Sequence, residues 1–247
     1  EISGSDVAEA LSSPNNILGV EYIKAINKLG LNIGVKPITR IGVDHDSKTS
    51  NGEFCSASAI RENLTAGKFI GEYLPEDARE IMGKEIENYK APAAISNLET
   101  AIIYKLRSMS VEDFKELPDV SEGLEYRLFD AVKNSSYLEE ILEKVKTKRY
   151  THSRIRRIII CAFLGIKKSD VSAPVPFIRV LGFNENGAKI LKKAKETATL
   201  PIITKASEAF ALDENAKRVF ELECFARDML SLAIPVRDEF GKEMTDK

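Results

Sequence analysis

The sequence predicts a mostly helical α/β protein. Apolar residues recur at helical spacing through most of its 247 residues. One stretch, "VKPITRIGVD" (35–44), instead alternates and is rich in β-branched residues, as a strand is. Near the end, "VPFIRVLGF" (175–183), "NGAKILKKAKETA" (186–198) and "LPIITKA" (200–206) read as strand, helix and strand, one small parallel βαβ unit.

The elements follow from local chemistry. Residues 11–29 carry an apolar stripe at Ile17, Leu18, Val20, Tyr22, Ile23, Ile26 and Leu29; "SSPNN" opens it and glycines close it. After the 35–44 strand and a polar loop, a short helix starts near Ser58 and fades near Gly67. A further helix covers 74–89, with Pro75 near its first turn and acids placed to suit the dipole. "KAPAAISN" (90–97) reads as the boundary between a domain of residues 1–90 and one of 91–247. Helical patterns over 98–108, 111–116, 121–134, 137–146 and 151–164 then imply a bundle with short connections. A last helix runs over about 214–232, and the tail "DEFGKEMTDK" reads as frayed.

Composition excludes several classes. Hydrophobic content of 43% and charged content of 30% suit a folded core rather than disorder. The longest apolar run, "IIICAFLGI" (158–166), is too short to cross a bilayer, and no signal peptide is visible. Cys55, Cys161 and Cys224 have no paired spacing, which argues against a disulfide framework or zinc site and for a reducing, cytoplasmic setting. His45 and His152 are the only histidines, so no metal site is expected.

The formal charge of −2 hides an asymmetry. Residues 144–168 hold nine basic residues and no acid, while the remaining 27 basic residues face all 38 acids. A concentrated positive patch on an acidic body is the footprint of a polyanion site. Its centre is "KTKRYTHSRIRR", with Lys146, Lys148, Arg149, Tyr150, Arg154, Arg156 and Arg157 as candidate RNA contacts. Thr151 or Ser153 caps the following helix, whose buried stripe is Ile155, Ile158, Ile159, Ala162 and Phe163. The arginines gather at the helix start, where they oppose the dipole, so their placement needs a reason other than helix stability. Tyr150 and His152 offer flat surfaces for unstacked bases. The plain alternative is a solvated charged face, which is what most charge runs are.

"FCSASAIREN" (54–63) places Ser56 or Ser58 at an N-cap, with first-turn N–H groups suited to a phosphate and Arg61 within reach of the same anion. Taken alone, a capped helix is the more common meaning of such a stretch. Asn15, just before a helix, reads first as a cap. Arg40 lies near the end of the 35–44 strand, where α/β sheets collect ligands.

Together these stretches resemble a known family. "LSSPNNILGVEYIKAI", "KPITRIG", "DHD" and "SASAIRE", in that order, look like the second half of the catalytic domain of the tRNA(Met) cytidine acetate ligases. "GLEYRL", "VKTKRYTHSRIRR" and "PFIRVLGFNENG" look like that family's carboxyl-terminal domain, so the resemblance covers nearly the whole chain. "SASAIR" also resembles a signature of the wider nucleotidyltransferase superfamily. The resemblance implies the remnant of a Rossmann-like nucleotidyltransferase domain followed by a helical tRNA-binding domain. It implies that acetate is activated by ATP, with Mg as the nucleotide's counter-ion, and passed to N4 of the wobble cytidine of elongator tRNA(Met). It matches Asn15, Arg40, Ile41, Ser58 and Arg61 to ATP contacts and the basic segment to the tRNA side; it identifies no catalytic residue.

The family's opening signature, of the type Asn-Pro-Phe-His-x-Gly-His, has no counterpart in these residues. An amino-terminally truncated portion is therefore expected, with weak or no ATP affinity and no ligase turnover alone. The alternatives are a non-catalytic RNA-binding module, a different adenylyl-transferring enzyme on the same scaffold, and a module whose basic segment meets an acidic protein.

Overall fold

Helix α1, Pro14–Lys28, starts with a proline, whose fixed φ suits a first helical turn. The computed structural model describes residues 4, 8, 11, 14–38, 54–239 and 241–245. The chain divides into two compact units, Glu1–Ala59 and Ile60–Lys247.

In the first unit the stripe of α1 forms as a helix, but its apolar side chains stay open: Ile17, Leu18, Tyr22 and Ile23 are exposed. Residues 35–38 are irregular, so the first part of the expected strand is not one; residues 39–44 lie outside the described residues. Helix α2, Ala57–Thr65, spans the division between the units.

The second unit is a helical body with a small annex. Helix α3 is Glu76–Glu87, with Pro75 as its N-cap and Glu76 and Asp77 in its first turn. Helices α4 (Glu99–Arg107), α5 (Val111–Lys115), α6 (Leu124–Lys133), α7 (Leu138–Val145) and α8 (His152–Leu164) then follow closely. They share one core, centred on Ile102, Phe114, Leu124, Leu128, Ile141, Ile155 and Ile158, each no more than 1% exposed. The predicted stripe of α8 is buried in full, from Ile155 to Phe163. Gly165 ends that helix at φ 70°, a left-handed C-cap that glycine adopts without a Cβ clash.

After the short helix α9 (Lys168–Ser172) come β1 (Ile178–Arg179), α10 (Glu185–Thr197) and β2 (Ile202–Ile203). The strands pair in parallel, Ile178 opposite Ile202 and Arg179 opposite Ile203. They are far shorter than the sequence pattern of 175–183 and 200–206. Helices α11 (Ala206–Phe210) and α12 (Glu214–Ser231) enclose a second core of Phe177, Ile203, Ala209, Ala216 and Phe220. Phe210 and Phe220 meet edge to face at 5.5 Å.

One expectation changes. The described part of the tail is structured: residues Lys242–Thr245 form helix α13, and Glu243 pairs with both Arg179 and Arg227, while residues 240, 246 and 247 lie outside the described residues. The reason is charge: a carboxylate answers two half-buried guanidiniums. The stretch 90–97 is also tied down. Ala94 N–H donates to the Ala233 carbonyl at 3.0 Å, Asn97 Nδ2 to the same oxygen at 2.8 Å, and Val236 N–H to the Tyr89 carbonyl at 2.9 Å. Residue 90 thus falls inside the second compact unit. Among the described residues, no helix is long and apolar enough to cross a membrane.

Several helix starts are secured by carboxylates. Asp113 accepts from the N–H and the hydroxyl of Ser110, at 2.8 and 2.9 Å. Glu140 accepts from the N–H groups of Ser136 and Tyr137, at 2.8 and 3.4 Å, and Glu208 from those of Thr204 and Lys205, at 2.7 and 3.2 Å. These backbone donors hold all three carboxyls below their ordinary range. A depressed pKa gives stability that is present above the unfolded value, about 4, and lost as pH falls through the folded one. The thermal midpoint should therefore drop between about pH 5 and pH 3. The triple variant Asp113→Asn, Glu140→Gln, Glu208→Gln should lose less over that range; an equal loss would refute the assignment. Phe114, fully enclosed, should cost about 3–5 kcal/mol as Phe114→Ala in denaturant unfolding.

Candidate nucleic-acid interface and nucleotide-side helix

The basic segment begins where α7 ends. Arg127, from α6, reaches the last carbonyls of α7: its Nε donates to Val145 O at 2.9 Å and its Nη2 to Lys144 O at 2.5 Å. A cation at a helix C-terminus satisfies orphan carbonyls and complements the dipole. The chain then turns sharply. Thr147 Oγ1 accepts from the N–H groups of Arg149 and Tyr150, at 3.1 and 3.0 Å, and Thr147 N–H donates to Tyr150 O at 3.1 Å. This turn puts Lys148 and Arg149 at its exposed tip. Thr151 caps α8 by accepting from Arg154 N–H at 3.4 Å, which settles the cap in favour of Thr151 over Ser153.

Three of the arginines have internal partners, all on the loop before α6. Arg154 donates from Nε and Nη2 to the carbonyl of Asp119, at 3.2 and 2.6 Å. Arg157 binds the Asp119 carboxylate at 2.7 Å. Arg149 pairs with Glu122. Asp119, Glu122 and Gly123 all have positive φ (61°, 59° and 84°), so the loop takes a shape that needs outside support. This is a structural reason for arginines at the unfavourable end of α8.

Tyr150 is not an open platform. Its ring is 8% exposed and belongs to the helical core. The Arg149 and Arg154 guanidiniums stand 6.0 and 5.2 Å from its centroid. The tyrosine ring backs the arginines. His152 is half-buried, with Nε2 at 3.3 Å from Glu143. Lys146, Lys148 and Arg156 are exposed and carry no hydrogen bond or ion pair from their side chains to the described residues.

On the nucleotide-like side, Ser56 is the N-cap of α2: it is buried and its Oγ accepts from Ala59 N–H at 3.0 Å. Ser58 is then the second helical residue, half-buried, and Arg61 is exposed. The N–H groups of Ala57 and Ser58 have no intrahelical acceptor, as in any first turn. Asn15 is the second residue of α1 and exposed, so it lies inside the helix and is not its N-cap. Arg40 and Ile41 lie outside the described residues. Burial pushes the Cys161 and Cys224 thiols up, away from nucleophile chemistry. Among the described residues, no group of three His, Cys, Asp or Glu could hold a metal ion.

Known proteins match this chain along nearly its full length. The family model described as HIGH Nucleotidyl Transferase matches residues 2–244. A tRNA(Met) cytidine acetate ligase from Thermoanaerobacter sp. (strain X514) is 37% identical over 237 residues, covering 94% of this chain and 58% of the relative. One from Thermosipho africanus is 39% identical, covering 82% and 49%. The crystal structure of Thermotoga maritima TmcAL (apo, form I) superposes with a TM-score of 0.87 at 30% identity, covering 96% of this chain and 60% of that one. The same protein bound with alpha-thio ATP superposes with a TM-score of 0.84 at 29% identity. The chain thus spans about three-fifths of the length of the relatives it matches most extensively. It belongs to the HIGH nucleotidyl transferase family.

Proposed function

We propose that this chain is the tRNA-facing portion, with one side of the nucleotide site, of an ATP-dependent tRNA(Met) cytidine acetate ligase. The observation that carries this is the trio Lys146, Lys148 and Arg156, exposed and unengaged beside a turn and helix whose other arginines already have internal partners. The names of the relatives support tRNA(Met) and acetate as substrates, and the ATP-analogue complex of the Thermotoga protein supports ATP. We assign residues 1–90 to the remnant of a Rossmann-like nucleotidyltransferase domain and 91–247 to a tRNA-binding domain. We read β1, α10 and β2 as its small βαβ unit. We infer a cytoplasmic setting, which the unpaired spacing of Cys55, Cys161 and Cys224 supports.

In this chemistry an acetate oxygen attacks the α-phosphorus of ATP, the α–β bridging bond breaks and pyrophosphate leaves. The N4 amine of the cytidine then attacks the acetyl carbon, AMP leaves and a proton departs from N4. Such catalysis is mainly positioning and charge stabilisation. Ala57 and Ser58 N–H groups and the Arg61 guanidinium are donors that suit a polyphosphate, and Asn15, Arg40 and Ile41 complete the proposed ATP contacts. Magnesium, if used, would ride on the nucleotide's phosphates. The phosphates of tRNA meet Lys146, Lys148 and Arg156, with Arg149, Arg154 and Arg157 adding field behind them.

Two measurements test this. In a salt titration of tRNA binding, Lys146→Ala with Lys148→Ala should flatten the slope of log K against log salt by about 0.7–0.9 per lysine. Asp119→Asn, which removes a competing carboxylate from Arg157, should tighten binding and steepen that slope; salt-independent binding would remove the interface. The 247-residue polypeptide alone should give no acetate-dependent pyrophosphate exchange. A polypeptide supplemented with the amino-terminal part of a relative should give it with acetate. Exchange with other carboxylic acids but not acetate would favour another adenylyl-transferring enzyme.

A further inference from the structure

Arg156 has a neighbourhood the interface does not use. It lines a cavity of about 230 Å³ between α7, α8 and the 3-10 turn Ile95–Leu98 with the start of α4. The floor is apolar, from Ile95, Leu138, Leu142 and Ile159. The charged groups are the Arg156 guanidinium and two carboxylates, Glu99 and Glu139, and the Ser96 hydroxyl also lines the cavity. Glu99 is partly committed, since its Oε1 accepts from Leu138 N–H at 2.8 Å. Glu139 and Arg156 are exposed and make no side-chain bond to the described residues.

An occupant must therefore combine apolar faces with hydrogen-bond donors on one edge and acceptors on another. A phosphate fails, because two carboxylates repel it. An aliphatic side chain fails, because it leaves the three charged groups without partners. An unpaired nucleobase meets both demands, and guanine meets them best. Its O6 and N7 are the acceptors that an arginine binds in bidentate fashion. Its N1–H and N2 amine are neighbouring donors that suit a carboxylate. Cytosine presents a single amine beside two acceptors, so it cannot give a carboxylate the paired donors that guanine's N1–H and N2 amine give. The cavity also shares Arg156 with the basic face, so a strand held on that face can turn one base inward.

We propose that this cavity receives an unpaired guanine of the bound RNA, with Arg156 on O6 and N7 and Glu139 on the N1 and N2 edge. The proposal rests on the RNA-binding reading above. It makes the interface a reader of one base as well as of backbone charge.

The test is a kethoxal footprint, since that reagent modifies the N1 and N2 edge of unpaired guanine. It would be run on tRNA bound to the parent chain, Glu139→Gln and Arg156→Met. Both positions are on the surface, so folding is preserved. One unpaired guanine should be protected by the parent and exposed again in both variants. Glu139→Gln should keep the parent's salt slope, and Arg156→Met should weaken binding roughly tenfold. Binding with the expected salt slope, but with no protected guanine or with protection unchanged in the variants, would overturn the base pocket and leave the interface standing. Absence of tRNA binding at low salt would overturn both.

Discussion

The basic segment has its shape because another part of the chain grips it. Residues 119–127 meet residues 144–157 at three points: Asp119 with Arg154 and Arg157, Glu122 with Arg149, and Arg127 with the carbonyls that end α7. A dense cationic run on a helix start is unfavourable by itself, from mutual repulsion and from the dipole. Acids and a carbonyl on one loop offset both. What remains for solvent is a smaller group of cations, held on a rigid surface. Pre-positioned charge costs less to engage than long side chains ordered at the moment of binding.

This division of labour changes what a charge cluster means. Six cations of the run, Lys146, Lys148, Arg149, Arg154, Arg156 and Arg157, read alike as candidate contacts from sequence. The structure leaves the side chains of Lys146, Lys148 and Arg156 without internal partners and spends Arg149, Arg154 and Arg157 on architecture. Tyr150 follows the same logic: an aromatic among arginines suggests stacking, but its ring fills the core and the guanidiniums lie against it. Which cations stay without internal partners is decided by segments about 30 residues away, and that is not a local property of the sequence.

The helical body was legible because period and burial agree there. The α8 stripe, the α4 to α7 patterns and the Ser110–Asp113 capping box are all local signals. Signals failed where distant charges decided the outcome. Residues 242–245 look like a polar tail, yet two arginines hold Glu243 in place. On the nucleotide side, the sequence located the helix start but left its cap open between two serines; burial and the bond to Ala59 select Ser56. Ser58 is thereby moved one step along the first turn, with its N–H still facing outward from the helix end. The cavity beside Arg156 had no sequence signal, because its walls come from three separate segments.

Three left-handed residues within the five positions 119–123 give the gripping loop a conformation that an isolated peptide would rarely hold. Its persistence depends on the arginines it binds, and theirs on it. The loop and the cationic turn are therefore ordered together or lost together, as one cooperative element. An opening fluctuation there would uncover backbone amides in both segments at once. It would also release three guanidiniums into solvent together, so the surface has two charge states separated by one local transition.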